Sequence, residues 1–140
     1  MELDGVSLDD VIETFELFDG WEDRYRYVID LGKKLPSFPE YKRLDEFKVR
    51  GCVSQVWIVP HWEGNTFTFD GDSDAHIVKG LVALMVLIFN GKSAGDILAT
   101  DARAIMTELG LSEHLSPMRT NGLFSMIERI GDVALAKSKS

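Results

Sequence analysis

The chain has one cysteine among 140 residues, so no disulfide can form within it and no cysteine-based metal cage can be built. A lone thiol fits a reducing compartment, where it survives unpaired, and a cytoplasmic protein is expected. Positive charge is scarce as well: 15 Lys and Arg stand against 23 Asp and Glu, a net charge of −8. A surface that acidic repels phosphate backbones, which argues against nucleic acid and anionic membranes as partners. Long apolar runs are missing. The longest, residues 77–89, carries Lys79 near its start. It falls short of the roughly 20 residues a bilayer demands, so it reads as a helix buried in the protein core. Met1-Glu2-Leu3-Asp4-Gly5 shows no basic segment leading into an apolar one, and no signal peptide is expected. His61, His76 and His114 share no metal-ligand spacing, and neither metal nor cofactor is expected. Internal repeats, linkers and low-complexity segments are absent too. With 45% hydrophobic and 27% charged residues, the expectation is one globular domain over residues 1–140.

What is present alternates between helix and strand signals. Ser7 can cap a helix with Asp10 as its capping-box partner, and Leu8, Val11, Ile12, Phe15 and Phe18 recur at helical spacing. Trp21-Glu22-Asp23 opens a second helix and Lys33-Lys34 closes it, a charge order that suits the helix dipole. Pro36 and Pro39 then break the chain, and residues 40–46 read as loop. Residues 47–50, 56–60 and 66–69 are three strand candidates, forming an antiparallel meander with a turn at Glu63-Gly64-Asn65. Asp70-Gly71-Asp72-Ser73-Asp74 has the look of a calcium loop. It fails, because Ala75 and Leu81 stand where Gly and a bidentate Glu are required. Ser73 or Asp74 is expected instead to cap the apolar helix. Ser93, Asp101 and Ser116-Pro117 start three further helices, and residues 137–140 are expected to fray. The fold class is therefore α+β, with a small three-stranded antiparallel sheet packed against helices.

The loop Arg50-Gly51-Cys52-Val53-Ser54-Gln55-Val56-Trp57 holds the only thiol. Gly51 can take backbone angles closed to other residues, and the β-branched and aromatic run from Val56 is a rigid strand behind the loop. A nucleophile is useful there. A lone cysteine is also commonly a small, inert, buried residue, and residue type alone does not choose between these readings.

Gly51-Cys52-Val53-Ser54-Gln55-Val56-Trp57 closely resembles the cysteine loop of the SufE family, the sulfur-acceptor partners of cysteine desulfurases in iron–sulfur cluster assembly. The resemblance extends in family order over roughly residues 20–130. It takes in Trp21-Glu22-Asp23-Arg24-Tyr25, Leu31-Gly32-Lys33-Lys34-Leu35-Pro36, Gly71-Asp72-Ser73-Asp74 with Ile77-Val78-Lys79-Gly80-Leu81, and then Leu109, His114-Leu115, Pro117, Arg119 and Gly122-Leu123. Departures fall in residues 40–47 and 60–66. The resemblance implies an α+β fold related to iron–sulfur scaffold proteins of the IscU type. It also implies a role that is not itself enzymatic: Cys52 would accept persulfide sulfur from a SufS-type, PLP-dependent desulfurase, stimulate it, and deliver the sulfur to the SufBCD scaffold.

A thiolate is needed to attack a persulfide, and a nearby cation favours it. Arg119 is the first candidate, placed in the first turn of a helix where the dipole disfavours it; a solvated surface arginine is the other reading. Arg50 is the second. Gly51, Ser54, Gln55 and Asp74 are candidates for shaping the loop, or Ser54 and Gln55 simply satisfy backbone groups in a turn. Trp21 and Trp57 are expected as core anchors. At rest the loop is expected to tuck Cys52 against apolar neighbours. An iron–sulfur scaffold would need several thiolates, and a cysteine hydrolase would need a base that the local motif lacks. The runner-up is a CsdE-like acceptor for a CsdA-type desulfurase, which the Ser54-Gln55 pair favours less.

Overall fold

In the computed structural model, which describes residues 2–139, the chain folds as α+β. A short antiparallel pair, β1 (Glu2–Leu3) and β2 (Val6–Ser7), leads into α1 (Leu8–Leu17) and α2 (Trp21–Gly32). Two 3-10 turns, Glu40–Lys42 and Asp45–Phe47, precede an antiparallel hairpin of β3 (Val56–Glu63) and β4 (Thr66–Ser73). Then come α3 (His76–Phe89), the short helices α4 (Ala94–Ala99), α5 (Ala102–Glu108) and α6 (Leu111–His114), and the long α7 (Pro117–Ser138). Among the described residues no helix is long and apolar enough to cross a membrane.

Local chemistry explains most helix starts. The Ser7 hydroxyl accepts from Asp10 N–H at 3.2 Å while the Asp10 carboxylate accepts from Ser7 N–H at 3.0 Å, a complete capping box. Ser93, Asp101 and Ser116 each accept the N–H three residues on, and Pro117 takes the first turn of α7. The start of α3 differs from expectation. Its N-cap is Ala75, with no side-chain cap; Ser73 Oγ accepts from Ala75 N–H at 3.2 Å, and Asp74 is engaged elsewhere. Nor does the chain fray at residue 137. Helix α7 continues to Ser138, with the Lys137 ammonium over the Trp62 ring at 5.4 Å; Ser140 lies outside the described residues.

The sheet is smaller than expected in strand number and longer in strand length. Residues 47–50 do not form a third strand: they offer one isolated bridge, Lys48 to Trp57, and one bond from Val49 N–H to Val56 O at 2.8 Å. Arg129 of α7 ties the segment to that helix instead, donating to Glu46 O at 2.9 Å and Lys48 O at 3.4 Å. Strand β4 meanwhile runs on through the acidic stretch to Ser73. Gly71 is there because a Cβ would meet Val82 Cγ1 of α3 at 2.6 Å. Asp72 is buried and held by Arg43 at 2.7 Å and Lys79 at 3.5 Å. The 3-10 segment thus wraps the outer face of the hairpin. Lys42 binds Asp70 at 2.7 Å, and Phe38 and the Arg43 guanidinium cover Trp57.

At the centre is α3, in which every residue from Ile77 to Phe89 except Lys79 is buried. It packs against β4, α2 and α7. The crossing with α2 is backbone to backbone. A Cβ on Gly32 would lie 2.7 Å from Gly80 N, and one on Gly80 would collide with the Val28 carbonyl. Neither neighbour can yield, because both are main chain inside helices. Gly80→Ala is expected to destabilise the fold by about 3 kcal/mol, the upper range for overpacking. A thermal melt at wild-type midpoint would show this view of the crossing to be wrong.

Candidate functional site

The cysteine loop runs into β3 from a base pinned by Val49 N–H on Val56 O and turns on one residue. Gly51 has φ +90°, a left-handed conformation open to glycine at little cost. The outgoing limb is tied to the turn between β4 and α3. Gln55 N–H donates to Asp74 Oδ1 at 3.0 Å, Gln55 Nε2 donates to Oδ2 at 3.3 Å, and Asp74 N–H donates to Gln55 O at 3.3 Å. Asp74 is therefore a brace across two elements, not a helix cap.

Cys52 faces a cavity of about 400 Å³. Val53 and Ser54 line it from the loop, Val78 and Leu81 from α3, and Met118, Arg119, Gly122, Leu123 and Met126 from α7. The thiol is half-buried and donates to the Gly122 carbonyl at 3.5 Å. Burial pushes its pKa up from the ordinary cysteine value, because the apolar walls disfavour the thiolate. Arg119 stands on the wall of the same cavity, but its guanidinium donates to Tyr25 Oη at 2.9 Å. Arg50 is exposed and lines a separate depression with Ser125, Glu128, Arg129 and Asp132. The structure thus gathers Cys52, Ser54 and Arg119 around one cavity, places Gly51 and Gln55 in the two limbs of its loop, and sets Asp74 in the turn between β4 and α3 as the brace on Gln55.

Several contributors were not singled out from the sequence. Tyr25 stood in a recognised block without a role, yet it fixes the Arg119 side chain. Val78 and Leu81 stood in the apolar run of residues 77–89 and in a recognised block, signals that say buried without saying what they border, and Met126 carried no site signal. Trp57 is buried under Phe38, and Trp21 stacks on His114 with ring centres 4.5 Å apart, so both are packing groups.

Chemically, the arrangement withdraws a protonated thiol from water while leaving room beside it. The thiolate is the nucleophile, so the site as it stands shields the thiol and lowers its reactivity. Since burial raises the folded-state pKa, the stabilising contribution of the buried neutral thiol is complete below the unfolded-chain cysteine pKa and is lost as pH rises through the folded value. Alkylation of the folded protein by iodoacetamide is accordingly expected to show a pH midpoint above that of the urea-unfolded chain. A midpoint at or below the unfolded one would mean that a cation, not burial, governs the thiol.

Three comparisons bear on this geometry. Residues 9–134 match the SufE family model, described as an Fe-S metabolism associated domain. An uncharacterized SufE-like protein of Rhizobium meliloti is 56% identical over 129 residues, covering 89% of this chain and 92% of that one. Another from Rhizobium etli is 52% identical over 137 residues, covering 95% of this chain and 93% of its own. The fold is also that of a solution structure of a hypothetical protein from Thermus thermophilus. That likeness has a TM-score of 0.76 at 21% identity and covers 95% of this chain and 96% of the other.

Proposed function

The chain belongs to the SufE family, the Fe-S metabolism associated domain, and from that premise we propose that Cys52 is the acceptor of sulfane sulfur from a cysteine desulfurase. The observation that supports this most is the placement of the sole thiol at the mouth of an apolar cavity with unfilled space beside its sulfur. The transfer balances without any oxidant. The Cys52 thiolate attacks the outer sulfur of the desulfurase persulfide, the partner's S–S bond breaks, and its cysteine leaves as a thiolate while a new S–S bond forms on Cys52. The chain contributes the carrier sulfur and the pocket that excludes water from the product; the partner contributes the chemistry that generates the persulfide.

Docking has to bring the sulfur out, since Gly122 and the walls cover it at rest. The rim is suited to contact: Val53 and Met118 are 71% and 56% exposed, large apolar side chains lining the cavity, and exposed Arg119, held by the Tyr25 hydroxyl, lines it too. Leaving the apolar walls also removes the burial that suppresses the thiolate, so movement and activation are one event. The favoured partner is a SufS-type enzyme, with delivery onward to a SufBCD scaffold.

Intact mass after incubation with L-cysteine and a desulfurase tests the reading. The expected result is a gain of sulfur on the wild type, removed by reductant and absent from Cys52→Ser. SufS-type and CsdA-type enzymes run in parallel identify the partner by the faster loading, and transfer from the loaded protein to SufBCD tests delivery. No gain with either active enzyme would overturn the assignment of Cys52.

A further inference from the structure

Helix α7 contains two glycines, and they meet different surroundings. A Cβ built on Gly131 has nothing within 4 Å, whereas one built on Gly122 lies 3.4 Å from Cys52 Sγ, 3.7 Å from its Cβ and 3.8 Å from its Cα. Glycine in a helix interior is unfavourable relative to alanine, so a buried glycine there commonly marks a close approach. At Gly122 what approaches is the reactive side chain itself, and the carbonyl of the same residue accepts its S–H bond. One turn further on, Ser125 meets the loop backbone: a Cβ on Gly51 would lie 2.5 Å from Ser125 Oγ. A second turn on, Arg129 holds the carbonyls of Glu46 and Lys48. Residues 122, 125 and 129 form one stripe of the helix. The stripe receives the segment from Glu46 to Cys52.

We propose that this stripe is a seat for the cysteine loop and that Gly122 is the positioning residue that sets how much of the time Cys52 is withdrawn. The thiol sits this deep because position 122 carries no bulky side chain. A methyl there would reach only van der Waals contact with the cysteine, but the branches of a valine would claim the space of Sγ, so the loop moves outward or departs. Strain of the size that an off-rotamer side chain carries shifts such an equilibrium about two- to tenfold. The biological meaning, a tuned balance between protecting sulfur and presenting it, rests on the proposed role of Cys52 as acceptor. The seat itself is tested without a partner.

The experiment compares iodoacetamide alkylation of the full chain for wild type, Gly122→Val and Gly131→Val across pH. With one cysteine in the chain, the adduct reports that site alone. Gly122→Val is expected to react about two- to tenfold faster at neutral pH, with its pH midpoint moved down toward that of the unfolded chain. Gly131→Val is expected to match the wild type in rate and midpoint. A folded Gly122→Val with wild-type rate and midpoint overturns the proposal. Should Gly122→Val prove too unstable to assay, its melting temperature is read in a cycle with Cys52→Ala. Recovery in the double variant supports the contact, and additive losses overturn it. These readouts survive a failure to load sulfur on Cys52, which would remove the acceptor role and leave the seat standing.

Discussion

A helix that is apolar on every side has to be covered on every side, and α3 imposes that demand on the rest of this chain. Its cover comes from β4, α2 and α7, and two of these contacts need glycine to close. Gly32 and Gly80 let the backbones of α2 and α3 touch; Gly71 lets the hairpin lie against Val82. Packing at interior density leaves few voids. The cavity beside Cys52 is therefore a local exception, found where the loop, α3 and α7 converge.

The functional arrangement follows from that convergence. A cysteine on a free surface loop would titrate normally and react with whatever met it. Here one wall comes from the central helix and the other from α7, so the environment of the thiol is set by elements whose places are already fixed by the core. Asp74 and Gln55 brace one limb of the loop, and Val49 pins the other to Val56. Between the braces, residues 50–54 carry the sulfur on a hinge whose key backbone angle belongs to Gly51.

Much of this was legible in the sequence because the signals were local. The capping box at Ser7, the Ser-Pro start of α7 and the uninterrupted apolar run of α3 each act within a few residues, and the cysteine loop stood out by composition and by likeness to a family. What stayed hidden depended on distant partners. Residues 47–50 look like a strand, but a 3-10 turn at Asp45–Phe47 takes their first residue, and Arg129, some eighty residues on, ties Glu46 and Lys48 to α7. Asp70-Gly71-Asp72-Ser73 reads as a loop because its acids and glycine disfavour strand; Lys42, Arg43, Lys79 and Val82 override that preference. Arg119 was picked out by its awkward place on the helix dipole, but its tie to Tyr25 joins two helices and leaves no trace in either segment.

The separation between Cys52 and Gly122, 70 residues along the chain, has a consequence during synthesis. At typical elongation rates the ribosome needs on the order of ten seconds to make that stretch. For that interval the thiol is part of a nascent chain with no α7 to rest against. Its chemistry is then that of a thiol with no apolar wall to raise its pKa, readier to ionise and to react. Maturation of this protein therefore includes a period of redox vulnerability that ends only when the C-terminal helix docks.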